Sequence, residues 1–376
     1  MVDKILRTRL CELLDIKYPI ILAGMGTIAR AELVAAVSEA GGLGVIGAIG
    51  LTPDELDAEI RKTKELTSKP FGVDTVVVAG APESATISDL MAYIPKEAVE
   101  YVDNLAKQIG LTGWEGFKAS ANKGQQGWTA ELFQSHIELV YEHRVPVFAA
   151  GLGSPAFMVP EAHKRGIKVI GVVANVRQAR REAEAGVDII VAQGGEGGGH
   201  TGRVGTMPLV PQVVDAVAPT PVLAAGGIGD GRGLAAALAL GASGVWTGTA
   251  FLPTVEANIN EVWKQQILSA TEEDTRVTKM FTGKTTRFLK SKLIEQWETE
   301  QGPILPFPLQ LVLVQDFFNA VADSDMPECL SSAAGQICGL LKEMKTAKQV
   351  VEDMVNQAVD TLNESIPSRV NIGSAV

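Results

Sequence analysis

The sequence predicts an α/β protein: a (β/α)8 TIM barrel with an inserted segment and a helical C-terminal extension forming a lid-like second domain. Three observations carry this expectation. Eight short apolar runs recur between residues 19 and 247, most bounded by turn residues. Segments with helical periodicity lie between most of them, which implies right-handed parallel βαβ units. The Gly-x-Gly-x-x-Gly turn that would open the first unit of a dinucleotide-binding sheet is absent.

The eight runs are 19–22, 43–46, 71–78, 145–149, 167–172, 188–192, 221–225 and 244–247. With aromatics at 5 %, their packing falls to Ala, Val, Ile and Leu, as in sheets buried on both faces. Helices are expected over 31–40, with Leu33, Val34 and Val37 on one face, and over 53–67. Thr52 and Glu55 have the spacing of a capping box for the second of these. Further helices are expected over 155–165, 177–185, 210–217 and 232–240.

Two stretches break the rhythm. Residues 80–130 are too long for a plain crossover and hold a helix-like run, 96–108, then a polar stretch with Trp114 and Trp128. The barrel pattern has ended by about Glu272. Beyond it, helical runs over 330–345 and 347–362 are expected to cover one end of the barrel, with 368–376 frayed. The predicted division is therefore 1–80 and 131–271 for the barrel, 81–130 for the insertion and 272–376 for a mostly helical region packing on it.

Composition narrows the function classes. A formal net charge of −11 argues against nonspecific nucleic-acid binding. No uncharged apolar run reaches the ~20 residues that span a membrane, and the first residues lack the apolar centre of a leader peptide. Cys11, Cys329 and Cys338 form neither a disulfide framework nor metal-ligand spacing, so a reducing, cytoplasmic setting and no metal are expected.

The run Asp188–Ala192 empties into Gln193-Gly194-Gly195-Glu196-Gly197-Gly198-Gly199-His200. Glycines at that density let backbone pass close to a flat or phosphorylated group. His200 is the one side chain there able to exchange a proton near neutral pH. The seventh run leads into Gly226-Gly227-Ile228-Gly229 and the eighth into Gly248-Thr249. Loops after strands 7 and 8 form phosphate sites in many barrels, because glycine amides stand clear of any Cβ. After the first run, Ala23, Gly24 and Met25 are small or soft enough to admit a flat ring. Asp74 places a carboxyl inside an apolar run, where it requires a partner from backbone or ligand.

These blocks resemble nitronate monooxygenases: 18–25, 35–44, Gln193 through His200, 224–228 and 248–252, spread over about residues 10–290. The resemblance implies an FMN-dependent barrel with a lid-like domain. Gly227, Trp246, Thr247, Gly248 and Thr249 would hold the phosphate, largely through backbone, and Gly226 would also lie at the cofactor. Gln193 and Gly198 would contact the flavin, Ala23, Gly24 and Met25 would line its ring, and Asp74 takes the family's usual asparagine position. His200 matches the family's catalytic histidine, acting as a base or stabilising an anionic substrate. Three residues depart from the family pattern: Gly24 stands where proline is common, Asp74 where asparagine is, and Trp246 where glutamine is. The implied activity is oxidation of alkyl nitronates with O2 to a carbonyl compound and nitrite. An NAD(P)H-dependent reductase of quinones or enoyl thioesters on the same barrel is the alternative, and a non-catalytic flavin-binding protein a second. The implied partners are a small-molecule substrate and O2, with neither nucleic acid nor membrane, and a homodimer is left open.

Overall fold

The computed structural model describes residues 5–77, 86–117 and 129–370. Trp128, parts of the expected insertion and the final residues of the tail lie outside them. A short helix, α1 (Arg9–Leu14), precedes the first strand. The barrel then runs β1 (Ile20–Leu22), α2 (Ala31–Glu39), β2 (Gly44–Gly47), α3 (Pro53–Leu66) and β3 (Phe71–Val76). An excursion carries α4 (Ile87–Met91) and α5 (Lys96–Gln108) before α6 (Ala130–Glu142). The rhythm resumes with β4 (Val147–Gly151), α7 (Val159–Lys164), β5 (Lys168–Val173), α8 (Val176–Glu184) and β6 (Ile189–Gln193). After a two-residue strand, β7 (Gly199–His200), come α9 (Thr206–Val217), β8 (Val222–Ala225), α10 (Gly231–Ala239) and β9 (Gly244–Thr247). All eight apolar runs of the sequence are barrel strands.

The eight strands are parallel neighbours in the order β1-β9-β8-β6-β5-β4-β3-β2. The ring closes between β2 and β1, where Leu43 N–H donates to Ile20 O at 3.0 Å and Leu22 N–H donates to Leu43 O at 2.9 Å. Alternation along each strand sorts the side chains. Ile21, Val45, Val147, Ile170, Val191, Leu223 and Trp246 fill the interior, while Ile20, Ile46, Val73, Phe148, Val169, Ile190 and Val245 pack under the helices. Leu10, Cys11 and Leu14 of α1 join the interior cluster and close the N-terminal end of the barrel. The other end, where the strands point, is left for chemistry. The Thr52–Glu55 capping box starts α3: Thr52 N–H donates to Glu55 Oε2 at 2.8 Å, and Glu55 N–H donates to Thr52 Oγ1.

Beyond β9 the chain differs from the sequence-based expectation. It forms α11 (Glu261–Ser269), a hairpin of β10 (Thr275–Thr278) and β11 (Thr286–Leu289), α12 (Lys292–Thr299), α13 (Leu309–Ala322) and α14 (Ala347–Asp360). The expected helix over 330–345 is not there: only a short 3₁₀ turn at Gln336–Leu340 breaks an extended path. Gly335 and Gly339 interrupt the periodic residues, and the backbone of this stretch is engaged by barrel loops instead. Nor does the last helix cover a barrel end. Val351, Met354, Val355 and Ala358 of α14 pack with Leu33, Val34 and Val37 of α2 and Leu234 and Ala235 of α10. Its place is that of the eighth barrel helix, between the helices that follow β1 and β8. The remaining tail shares a second core with the excursion: Leu90, Val102 and Leu105 lie against Leu293, Ile294, Trp297, Leu313 and Phe317. The second lobe is thus assembled from two distant parts of the chain.

Gly231, the first residue of α10, is where α14 approaches most closely. A Cβ there would collide with Ala358 N and Met354 O, both backbone atoms that cannot swing aside. Gly231→Ala is expected to destabilise the fold by roughly 1–3 kcal/mol, the range for overpacking a filled contact. Chemical denaturation followed by circular dichroism measures this, and a midpoint equal to wild type would remove α14 from the barrel ring.

Candidate functional site

At the C-terminal end of the strands lies a cavity of about 810 Å³, and every site residue expected from sequence lines it. Ala23, Gly24 and Met25 come from the loop after β1, Asp74 from β3, and Gln193, Gly198 and His200 from β6 and the glycine-rich loop. Gly226 and Gly227 follow β8, Trp246 and Thr247 end β9, and Gly248 and Thr249 follow it.

The glycine-rich loop is held by its surroundings at almost every residue. A Cβ on Gly194 would collide with Thr206 Oγ1, and one on Gly198 would stand 2.7 Å from the backbone of Ala334. Gln193 Nε2 donates to His200 O at 2.7 Å, bracing the loop from its first residue to its last. The Glu196 carboxylate turns away and accepts from Thr206 N–H at 2.9 Å, where it meets the positive end of α9. Arg287 Nη2 donates to Gly195 O at 3.0 Å from β11.

His200 sits in β7, paired antiparallel with Thr286 of β11. Its Nε2 lies 3.0 Å from Thr282 Oγ1. Its Nδ1 has no hydrogen-bond partner among the described residues. Burial, and then the positive charge of Lys284, push its pKa down to about 4. The ring is therefore neutral at physiological pH. The other histidines have structural places. His136 bridges Thr75 Oγ1 and Leu51 O, His143 meets Asp57, and His163 meets Asp188.

The loops after β8 and β9 face the opposite wall. Gly226 and Gly227 adopt φ of +85° and +72°, the left-handed region that glycine enters without strain. The N-terminus of α10 is already capped, because Asp230 Oδ1 accepts from Arg232 N–H and Gly233 N–H, and Gln357 Oε1 accepts from Gly231 N–H. An anion here would be met instead by the amides of Gly227 and Gly248, which donate to no described residue. Thr247 Oγ1 is buried without a partner among the described residues, as is Ser332 Oγ on the same cavity. Buried hydroxyls are rarely left unpaired, so a ligand rich in acceptor oxygens fits this wall. Trp246, continuous with the apolar barrel interior, supplies a flat floor.

Sequence reading missed two contributors. Ser331, Ser332, Ala333, Gly335 and Ile337 line the cavity from the extended tail, and Gly335 N–H donates to Thr249 Oγ1 at 2.9 Å. Lys279, Gly283, Lys284, Thr285 and Phe288 line it from the β10–β11 hairpin and its turn. The run Ser331-Ser332-Ala333-Ala334-Gly335 did carry a signal: five small residues ending in glycine suit close backbone approach better than a helix.

The model of the nitronate monooxygenase family matches residues 7–357. A Staphylococcus haemolyticus protein named "Probable nitronate monooxygenase" is 36 % identical over 97 % of this chain and 98 % of its own length. Among solved structures, FabK from Thermotoga maritima is 33 % identical with a TM-score of 0.75, covering 97 % of this chain and 100 % of that one. Nitroalkane oxidase from Streptomyces ansochromogenes is 28 % identical with a TM-score of 0.77, covering 94 % of this chain and 98 % of that one.

The burial of His200 has a direct consequence. In a nitrogen-detected NMR titration its ring is expected to protonate at about 4 rather than 6.5. Lys284→Met, which removes the neighbouring positive charge, moves that titration upward. A wild-type ring protonating near 6.5 would contradict the neutral assignment.

Proposed function

The chain belongs to the nitronate monooxygenase family of oxidoreductases, and on that premise we propose that it binds FMN and oxidises alkyl nitronates with O2 to a carbonyl compound and nitrite. The observation that carries this reading is one cavity that holds a neutral histidine, its Nδ1 together with backbone amides and a buried hydroxyl having no partner among the described residues. Bound FMN supplies the electron-accepting chemistry of such a site.

The phosphate of FMN fits the amides of Gly227 and Gly248, with Gly226, Thr247 and Thr249 around them. Ala23, Gly24 and Met25 would line the ring, with Gln193, Gly198 and Asp74 at its polar edge; Trp246, packed in the barrel interior, would lie under the ring rather than at the phosphate. Gln193 is already aligned by its bond to His200 O. The second lobe covers the mouth through the hairpin residues Lys284 and Phe288, which shield the site from water.

His200 handles the substrate's proton. With Nε2–H donated to Thr282 Oγ1, Nδ1 keeps its lone pair and accepts a proton from the carbon beside the nitro group. Thr282 Oγ1 also accepts from Lys284 N–H at 3.3 Å, so the hydroxyl is fixed from both sides. A nitronate has already lost that proton and needs no base. Lys284, half-buried at the same wall, supplies positive charge for the anion.

Anaerobic addition of ethyl nitronate to the FMN-loaded protein is expected to bleach the flavin absorbance. If the flavin stays oxidised while NADH bleaches it quickly, the nitronate reading fails and the NAD(P)H-dependent reductase takes its place. His200→Asn is expected to lower kcat/KM for neutral nitroethane by roughly 10²- to 10⁴-fold and that for ethyl nitronate by a factor of about 10 or less. Equal losses on both substrates would remove the base from the scheme.

A further inference from the structure

Gly24 and Asp74 form a matched pair on the cavity wall. A Cβ on residue 24 would collide with Asp74 Cβ and lie 2.5 Å from Asp74 Oδ2, so only glycine leaves this carboxyl its position. Asp74 points into the barrel mouth. Its neighbours in β3, Val73 and Thr75, point outward, the first into the helical layer and the second to His136. The carboxyl makes no hydrogen bond or ion pair with any described residue, yet it lines the cavity.

Among the described residues, nothing packed around it offers a compensating charge. Its register partners are Gly47 on β2 and Ala149 on β4, and the loop after β1 presents Gly24. Arg30, which donates to Gly47 O, is held electrostatically by Glu59 and Glu55. The other titratable groups on the cavity are Glu196, already bound to Thr206, and His200, Lys279 and Lys284. Isolated from all of them, a buried carboxyl is more stable neutral than ionised.

We propose that Asp74 is a protonated hydrogen-bond donor that reads an acceptor edge, a carbonyl oxygen or unprotonated ring nitrogen, of the planar heteroaromatic ligand in this cavity. The inference rests on the FMN reading above and deepens it. An asparagine would donate at every pH, whereas Asp74 donates only while it holds its proton. Burial pushes its pKa up to about 8, close enough to neutrality for the donor to be lost under mildly alkaline conditions. The sign follows from linkage: a complex that requires the proton binds at full strength below that pKa, and its affinity falls as pH rises through it.

The test is FMN binding to the full-length protein, followed by quenching of flavin fluorescence between pH 7 and pH 9.5, for wild type and Asp74→Asn. The wild-type Kd is expected to rise roughly 10- to 30-fold across that range beyond any change in D74N, whose amide cannot ionise. The midpoint potential of the bound flavin is expected to change its pH slope in the same interval in wild type alone. Parallel binding curves for the two proteins overturn the inference and leave the FMN reading standing. Failure of both proteins to bind FMN at pH 7 overturns both. If D74N does not fold, the wild-type curve decides by itself, since a flat affinity from pH 7 to pH 9.5 excludes a titrating donor.

Discussion

The site depends on one short ladder, the pairing of Gly199–His200 with β11. A loop with five glycines in the six residues 194–199 has too much conformational freedom to hold a side chain by its own preferences. Two residues of strand, braced by Gln193 behind them and Arg287 beside them, remove that freedom. The barrel therefore supplies the histidine while the second lobe aims it. The same hairpin brings Thr282 to Nε2 and Lys284 to the cavity, so the position, the Nε2 contact and the electrostatic setting of His200 share one origin.

This arrangement explains why the lobe is made from two separated segments. The excursion after β3 and the tail after β9 leave the barrel at different strands. Joined, they bury Trp297, Phe317 and Leu313 in a common core. Burial of such side chains contributes about 1.5–3 kcal/mol each, enough for the hairpin to act as a fixed wall. The extended stretch 331–335 then threads back between lobe and barrel, its backbone meeting Gly198 and Thr249.

Much of the barrel was legible in the sequence because its signals are local. Apolar runs bounded by turn residues mark strands regardless of what surrounds them, and Thr52–Glu55 marks a helix start by spacing alone. The cavity residues were legible for a related reason: Gly226, Gly227, Gly248 and His200 follow strands, and the ends of barrel strands converge. What stayed hidden is non-local. The small residues from Ser331 to Gly335 are chosen by the backbone they lie against, which no periodicity reveals. Glu196 sits inside the most specific motif yet serves α9, a task visible only once Thr206 is seen beside it. The apolar face of α14 was evident, but its partners α2 and α10 are set by ring closure.

That last helix has a consequence for how the protein is made. Its strand ends at Thr247, and the segment 248–346 is synthesised before Ala347 appears. Until then the outer ring has a gap, and the apolar flanks of α2 and α10 stay uncovered on the ribosome. Folding must therefore wait on contacts of long sequence separation, the kind that form slowly and leave sticky surfaces exposed meanwhile. A truncation before α14 would leave the glycine-rich loop and the cavity residues in the chain, yet yield a polypeptide prone to aggregate.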